Sequence, residues 1–306
     1  MTRARAPGKV VLSGAYAVLH GAPAIVTTVG RYVSVDSARP AELVTPEVQA
    51  ALANEETPWL GRFAPWFDAS ELWDGDRKLG LGSSAAILIA SLYALARDVM
   101  PEASEIELRG SILGRAAAAH RSAQGGGSGV DVTACCVGGT LCYRLGASGS
   151  GAHGLPLPAG LQVELWSCPE AASTRQLLGA VAALGARAPG DHDRPMSAQA
   201  AASERAVEAA TSGDATAFIA ALRTQHRALS ELGRVAGVPI VTPELAELGP
   251  AAEREAGVLL PAGAGGGDIA LFVGRAPSTP GLRASLEQRA HHLLPVALSV
   301  PGVALA

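Results

Sequence analysis

The chain has 306 residues, enough for two domains or for one large domain with a sizeable core. Its formal net charge of −4 gives no basic field for a nucleic-acid backbone, so we expect no nucleic-acid partner. No apolar run reaches the ~18 residues of a membrane span, and residues 1–14 lack an apolar secretory segment, so the sequence predicts a cytoplasmic protein without a membrane partner.

Small side chains must build the core. Hydrophobic residues make up 48% of the chain but aromatic residues only 4%, and 36 glycines and 20 prolines interrupt it. The four cysteines show no CxxC or metal-ligand spacing, which favours buried thiols over a redox role.

The predicted elements change in character along the chain. Short β-branched runs separated by glycine and proline predict antiparallel strands at 9–13, 24–29 and 32–37, and the segment from Trp59 to Trp73 is a connection. Three helices and a strand are predicted next, at Ser83–Val99, Glu105–Gln124, 128–137 and 139–145. After the glycine- and serine-rich segment 146–154, the sequence predicts strands at 161–167, 269–273 and 295–300 and helices at 173–184, 197–212, 214–232, 243–256 and 282–291. Early strands and later helices indicate an α+β protein with two lobes that meet near residues 146–165.

Lysine occurs at two positions only, Lys9 in APGK and Lys78 in KLGLGSSAA, whereas the other 22 of the 24 basic residues are arginines. An ammonium group is a compact point charge that suits phosphate oxygens, whereas a guanidinium is a wide planar fork that would crowd a glycine loop. Two lysines kept beside glycine in loop-like segments therefore favour phosphate chemistry over an accident of composition.

KLGLGSSAA places two glycines directly before a predicted helix. The start of a helix offers free backbone N–H groups and the positive end of the dipole, and glycine lets a phosphate approach the main chain. The segment therefore predicts a phosphate cradle, with Ser83 or Ser84 available as a helix cap. It matches neither the P-loop nor the dinucleotide pattern, and a tight turn with an ordinary serine cap is the alternative.

Two further glycine-rich segments are ambiguous on their own. AGAGGGD at 262–268 precedes a predicted strand, which disfavours a Rossmann fold, and its glycines indicate close approach either to a ligand or to another part of the chain. GGGSGVD at 125–131 places Asp131 in the first turn of a short helix. The spacing of Ser128 and Asp131 is also that of a capping box, although three glycines give more flexibility than a cap requires.

In this order, APGKVVLSGAYAVLHGAPAIV, KLGLGSSAA and AGAGGGDIAL resemble the three motifs of the GHMP kinase superfamily, which phosphorylates small metabolites from ATP. The likeness spans residues 6–273. It implies a two-lobed α+β fold with an N-terminal domain at 1–155 and a C-terminal domain at 156–306. It also implies an ATP site in the cleft between the two domains, with the phosphates at the helix that begins at Ser83.

Three other segments are similar to phosphomevalonate kinases: Lys78 ahead of GLGSSAA, AHRSAQGGGSGVD at 119–131, and ASTRQL at 172–177. His120 stands where mevalonate kinase has a glutamate that helps to hold Mg²⁺; alternatively, this histidine caps or packs a helix end. Ala15 and Ala262 depart from the usual Glu and Ser of the family. The resemblance implies ATP-dependent phosphorylation of 5-phosphomevalonate to 5-diphosphomevalonate in the mevalonate route to isoprenoids.

The resemblance also assigns roles to individual residues. Lys9 is expected at the acceptor and the transferring phosphoryl group, Lys78 at phosphate oxygens of ATP or substrate, and Asp131 beside Lys9, where it orients the acceptor. Ser84 is expected to bind Mg²⁺ through its hydroxyl group. The predicted phosphate cradle consists of Gly80, Leu81, Gly82, Ser83, Ser84 and Ala85. The predicted substrate-binding residues are Tyr16, His120, Gln124, Ser128, Gly129, Arg144, Ser173, Thr174, Arg175, Gly265 and Gly266; of these, Ser173 and Thr174 are alternatively caps of the next helix.

Two other functions are compatible with these motifs. The first is a different kinase of the same superfamily, above all mevalonate kinase, since the motifs specify ATP better than the acceptor. The second is a non-catalytic sensor of a nucleotide or metabolite, which the presence of both lysines together with Asp131 disfavours. We expect a monomer or a homodimer.

Overall fold

The computed structural model describes residues 1–53, 59, 61–146, 149–170 and 173–306. The helices in this part are α1 (Pro46–Leu52), α2 (Ser83–Val99), α3 (Glu105–Gln124), α4 (Val130–Val137), α5 (Thr174–Arg187), α6 (Pro189–Ser212), α7 (Ala215–Ala236), α8 (Pro243–Arg254) and α9 (Pro280–Glu287). The strands are β1 (Arg3–Ser13), β2 (Ala24–Pro40), β3 (Pro65–Asp68), β4 (Trp73–Asp74), β5 (Arg77–Lys78), β6 (Thr140–Gly146), β7 (Gly149–Gly154), β8 (Gln162–Ser167), β9 (Val258–Pro261), β10 (Ile269–Gly274), β11 (His292–Leu294) and β12 (Ala304–Leu305). The protein therefore has the mixed α+β architecture that the sequence predicts.

The described chain divides into two compact units, each built from separate segments. The first contains Met1–Val10, Val26–Thr140 and Ala297–Ala306, and the second contains Val11–Ile25 and Leu141–Val296. The domain boundary between residues 155 and 156 stays a prediction.

In the first unit, helix α2 lies at the centre of the core. Strand β1 pairs antiparallel with β12 on one side and neighbours β2 on the other, and β3 pairs with the outer part of β2. Helix α2 packs against α1, α3 and α4, and its residues from Ala85 to Ala96 are buried all round. A helix enclosed in this way holds its amino terminus in a fixed position, which matters for any ligand bound there.

The second unit has its own sheet and two apolar clusters. Strands β11, β8, β10 and β9 form an antiparallel sheet in that order. Its Trp166 and Phe272 form one cluster with apolar residues of α8 and α9. Helices α5, α6 and α7 build the other cluster, which includes Leu177, Leu229 and Leu232. The hairpin of β6 and β7 also belongs mainly to this unit.

Several predicted elements agree with the structure, and others are wrong. The predictions of α2 and α3 are confirmed residue for residue, and the strand after AGAGGGD is confirmed as β10. The sequence predicts two strands at 24–37, but β2 runs through Gly30 without a break, because the Gly30 N–H donates to Ala297 and the backbone stays extended. Helix α1 and strand β9 were missed.

The carboxyl-terminal region differs most from the prediction. The strand predicted at 295–300 is wrong: the structure has β11 before it and only an isolated bridge from Leu298 to Val29 within it. Pro295 lacks an N–H donor, which disfavours a regular ladder there. Helix α9 ends at Glu287, short of the predicted 291. Segment 146–154, interpreted as a break between lobes, contains β7; its residues 147 and 148 lie outside the described part of the chain.

The cysteines agree with the expectation of buried thiols. All four cysteines are buried free thiols, and burial raises the pKa of Cys135 and Cys136. No helix among the described residues combines the length and apolarity that a membrane crossing requires.

Candidate active site

Lys9 lies in β1, which contains the strand predicted at 9–13 and also the preceding residues of APGK, a segment interpreted as loop-like. Its backbone N–H donates to the Leu81 carbonyl oxygen at 2.9 Å, so strand β1 runs beside the segment that leads into α2. The side chain is only 11% exposed, and Nζ lies 3.0 Å from Oδ1 of Asp131. The structure thus brings together two of the three residues predicted to be catalytic.

Gly82 fixes the position of the Lys9 side chain. This glycine is the N-cap of α2 and has a φ of 79°, in the left-handed region. A Cβ atom built on it would lie 2.6 Å from Cε of Lys9, far inside van der Waals contact. The aliphatic part of Lys9 therefore lies directly against the start of α2, and only glycine permits both this conformation and this contact.

Helix α2 has no side-chain cap. The expectation that Ser83 or Ser84 caps it is wrong, because the N-cap residue is Gly82 and no side chain accepts a hydrogen bond from the first turn. The backbone N–H groups of this turn are therefore open to an anion.

Helix α4 begins in the same way. Its N-cap is Gly129, with a φ of 81° and no side-chain cap. The capping box between Ser128 and Asp131 does not form: Ser128 Oγ accepts from the Val130 N–H at 3.4 Å, and Asp131 pairs with Lys9 instead. Lys9 is therefore in contact with the starts of two helices that lack side-chain caps.

A cavity of about 610 Å³ adjoins the start of α2 within the first unit. Its lining residues are Leu43, Val44, Thr45, Pro46, Glu47, Phe67, Ala69, Ser70, Trp73, Gly75, Lys78, Ser83, Ser84 and Ile87. Lys78 is exposed, and its Nζ lies 5.4 Å from the centre of the Trp73 ring, where the cation faces the π system. Three of the predicted phosphate contacts, Lys78, Ser83 and Ser84, thus line one cavity, whereas the side chains of Leu81 and Ala85 are buried in the core.

The residues present fit a nucleoside triphosphate. An uncapped helix start, an exposed lysine and two serine hydroxyl groups offer positive potential and hydrogen-bond donors for phosphate, and the apolar wall suits a base. The described residues contain no cluster of three or more His, Cys, Asp and Glu side chains able to hold a metal ion by themselves. A divalent cation here would therefore depend on phosphate oxygens, with Ser84 and one carboxylate as protein ligands.

His120 lies inside the last turns of α3 and is 5% exposed. Its Nε2 is 3.1 Å from Nε2 of Gln124, and that amide also donates to Oε1 of Glu47 at 3.3 Å. An amide N–H donates to Nε2, so the ring proton is on Nδ1, which is buried without a partner among the described residues. Burial lowers the pKa of His120 even though the carboxylates of Asp131 and Glu47 oppose this shift. The charge of His120 is thus disfavoured by burial and favoured by the nearby carboxylates of Asp131 and Glu47.

Tyr16 lies in the second unit, where its hydroxyl group donates to the Ala264 carbonyl oxygen at 2.6 Å. Its ring is buried, and burial raises the pKa of its hydroxyl group. Gly265 and Gly266 follow this contact and pack closely: an added Cβ would lie 2.1 Å from the Ile240 carbonyl oxygen and 2.8 Å from Leu177, respectively. Close packing against Ile240 and Leu177 therefore explains why these two positions are glycine. Their contact with a substrate stays a prediction.

Other predicted substrate contacts in the second unit have structural partners. Both terminal nitrogens of Arg144 donate to Glu204, at 2.8 and 2.6 Å. Ser173 caps α5 by accepting from the Gln176 N–H at 3.4 Å, and Thr174 is the first helical residue, as the capping alternative predicted. Arg175 is exposed. Ala172, the first residue of ASTRQL, lies outside the described residues.

Sequence analysis missed Glu47 and Trp73, which line the cavity. The signal for Glu47 was present: Thr45 caps α1, and Thr-Pro-Glu is a typical helix start with proline in the first turn. Trp73 belongs to a segment interpreted only as a connection, because a two-residue strand such as β4 has no periodicity to detect.

Comparison with known proteins finds kinases that are similar in sequence. Residues 74–139 match the family model for the GHMP kinases N terminal domain. The chain is 28% identical over 335 residues to phosphomevalonate kinase of Streptomyces sp. (strain CL190), over 87% of this chain and 88% of that protein.

Solved structures share the fold. Streptococcus pneumoniae phosphomevalonate kinase in complex with phosphomevalonate and AMPPNP has a TM-score of 0.77 at 17% identity, over 97% of this chain and 100% of that one. L. major mevalonate kinase in complex with R-mevalonate has a TM-score of 0.71 at 18% identity, over 98% of this chain and 96% of that one. The matched segment, which contains Lys78, helix α2 and Asp131, is thus similar to the GHMP kinases N terminal domain, and the fold is shared with these solved structures over nearly the whole chain.

Proposed function

We propose that this protein transfers the γ-phosphoryl group of ATP to 5-phosphomevalonate and forms 5-diphosphomevalonate. One observation carries the proposal: the Lys9–Asp131 pair, at 3.0 Å, lies against the uncapped start of α2, next to a cavity that Lys78, Ser83 and Ser84 line.

The chemistry of phosphoryl transfer fits this arrangement. The reaction requires in-line positioning and positive charge around the transferred group more than it requires covalent chemistry. The helix start and Lys78 hold the β- and γ-phosphates, Lys9 neutralises charge on the transferring group, and Asp131 positions both Lys9 and the acceptor. A Mg²⁺ ion bound with ATP would contribute further positive charge, with Ser84 as one ligand.

Two arguments support 5-phosphomevalonate as the acceptor: the substrates of similar proteins and the acidity of its phosphate group. The Streptomyces relative is a phosphomevalonate kinase, and the S. pneumoniae structure contains phosphomevalonate with an ATP analogue. A phosphate monoester has its second pKa near ~6, so this acceptor is largely ionised at neutral pH and needs no strong base. Asp131, already paired with Lys9, therefore suffices as a positioning group.

Mevalonate kinase is the second candidate, because the L. major enzyme in complex with R-mevalonate shares the same fold. A mevalonate hydroxyl group is not ionised at neutral pH, so this reaction would require Asp131 to act as a base. The two candidates thus predict different roles for the same carboxylate.

The test is an ADP-release assay with purified protein and Mg-ATP, in which mevalonate, 5-phosphomevalonate and homoserine are offered separately. We expect ADP only with 5-phosphomevalonate, and the Lys9→Met protein, purified identically, controls for contaminating kinases. ADP from mevalonate but not from its phosphate would overturn the acceptor assignment. Absence of ADP with every acceptor would favour the sensor. The cytoplasmic location and the monomeric or homodimeric state stay predictions.

A further inference from the structure

The cavity beside α2 contains a buried carboxylate whose role the preceding argument does not explain. Glu47, on the first turn of α1, is 6% exposed and is the only acidic residue among the described residues that line the cavity. Its Oε1 accepts one hydrogen bond, at 3.3 Å, from the neutral amide of Gln124.

Glu47 has no cationic partner. Every lysine, arginine and histidine of the chain lies in the described residues, and none of them forms an ion pair with Glu47 there. Lys78 lines the same cavity but lies over the Trp73 ring. Since burying an ionised carboxylate without compensation is costly, buried charges in proteins are generally paired or bind metal ions.

The cavity wall indicates which cation would compensate this charge. Ser84 lines the same cavity, and the uncapped start of α2 there is suited to phosphate. Mg²⁺ in nucleotide sites takes one or two protein carboxylates, waters and phosphate oxygens rather than an all-protein cage. One carboxylate and one hydroxyl group are therefore a sufficient protein contribution.

Asp131 is the other carboxylate that could bind the divalent cation, but it already forms an ion pair. Its Oδ1 forms the ion pair with Lys9, so a divalent cation there would compete with an ammonium group held in place by β1 and Gly82. Glu47 meets no such competition.

We propose that Glu47 is the protein carboxylate that binds the divalent cation of the ATP complex, together with the hydroxyl group of Ser84. This inference rests on the proposed function, since it requires that ATP binds at the start of α2. Gln124, through its hydrogen bond to Oε1, is a positioning residue that orients the carboxylate.

The test separates metal binding from nucleotide binding. Glu47→Gln keeps an acceptor oxygen for Gln124 and removes only the charge. Glu42→Gln removes the same charge from an exposed residue outside the cavity and is the matched control. Electron paramagnetic resonance measures the Mn²⁺ affinity of the protein–AMPPNP complex, and calorimetry in EDTA measures the affinity for metal-free AMPPNP.

We expect the Mn²⁺ affinity of the Glu47→Gln complex to fall at least about tenfold, because loss of even an outer-shell partner of a metal site typically costs about tenfold to a hundredfold and Glu47 is proposed as a direct ligand. In EDTA its AMPPNP affinity should equal or exceed that of wild type, because a negative charge beside the triphosphate is gone. Glu42→Gln should match wild type in both measurements. If Glu47 were purely structural, Glu47→Gln would not lower the Mn²⁺ affinity of the complex while leaving the AMPPNP affinity in EDTA equal to or above that of wild type.

The inference would be overturned if the Mn²⁺ affinity were unchanged in Glu47→Gln, or if it fell in Asp131→Asn but not in Glu47→Gln. Either result would leave the proposed function standing. Wild-type protein that binds no AMPPNP with or without Mn²⁺ would overturn both. Glu47→Asp, which keeps the charge and shortens the side chain, covers the case in which Glu47→Gln fails to fold; its Mn²⁺ affinity should fall while AMPPNP binding in EDTA persists.

Discussion

The ammonium group of Lys9 and the carboxylate of Asp131 stabilise each other in a partly buried position. Lys9 is 9% exposed, whereas exposed ion pairs contribute little because water and salt screen them. Removal of either partner leaves the other charge uncompensated, so each residue controls the position of the other.

Substitution of these two residues should separate charge stabilisation from positioning. We expect Lys9→Met to lower ADP release with 5-phosphomevalonate by about 10²- to 10³-fold, the typical cost of removing one group that stabilises transition-state charge. Asp131→Asn should cost less than the ~10²-fold minimum for loss of a general base, because the acceptor phosphate is already ionised. The measurement is the initial rate at saturating Mg-ATP.

Asp74→Asn, at the exposed second residue of β4, serves as the control and should leave the rate near that of wild type. A loss in Asp131→Asn as severe as in Lys9→Met would show that Asp131 acts as a base and would favour an alcohol acceptor.

At the scale of elements, helix starts determine the candidate site. The apolar run of α2 with glycines before it, and the glycine run after α3, helped to predict these two helices, because these are local signals. The wrong prediction was the cap: serine is a better N-cap than glycine in general, yet here glycine is required by a φ of 79° and by the Lys9 side chain. That requirement comes from a strand far away in the sequence.

Gly82→Ala should be more harmful than an equivalent change elsewhere. Gly125, the C-cap of α3, also has a left-handed φ, of 72°, but nothing lies within 4 Å of its added Cβ, so Gly125→Ala measures backbone strain alone. That strain is about 1–2 kcal/mol. We expect Gly82→Ala to lower the free energy of unfolding by more than Gly125→Ala and to weaken AMPPNP binding, since Lys9 must move.

Chemical denaturation and calorimetry provide the two measurements. Equal losses of stability in both variants, with AMPPNP binding intact in Gly82→Ala, would contradict the contact between Lys9 and the start of α2.

At the scale of the whole molecule, two buried histidines and the half-buried His226 couple stability to pH. Burial lowers the pKa of His120, His226 and His291. Each ring has a buried nitrogen without a hydrogen-bond partner among the described residues: Nδ1 of His120 and His226, and Nε2 of His291. Protonation would therefore add a buried charge to each ring, and at His291, whose Nδ1 donates to the Arg289 carbonyl oxygen, it would also add an Nε2–H without an acceptor among the described residues.

The folded chain should lose stability as the pH falls below the ordinary histidine pKa of about 6.5. In that range the unfolded chain binds protons that the folded chain excludes, so the free energy of unfolding rises with pH and falls with acid. Thermal unfolding between about pH 7.5 and 5.5 should show a falling midpoint, where each ~1 kcal/mol corresponds to roughly 2–4 °C.

Replacement of His226 or His291 by asparagine should flatten this dependence, whereas replacement of the exposed His153 should leave its slope unchanged. The slope is compared, not the midpoint, because each variant also changes stability at neutral pH. Slopes equal to wild type in both buried-site variants would exclude these histidines as the cause.

The sequence by itself determined the helices α2 and α3, the strand after AGAGGGD, the α+β class and the order of the three glycine motifs, because periodicity, caps and glycine act over a few residues. It also marked Lys9, Lys78 and Asp131 by residue type. The resemblance implied that Asp131 lies beside Lys9, but only the tertiary structure decided that the Lys9 side chain lies against Gly82 and that Glu47 is buried in the cavity wall. The physical reason is that such contacts join elements distant in the chain, and their geometry depends on how strands and helices pack, which local sequence patterns do not encode.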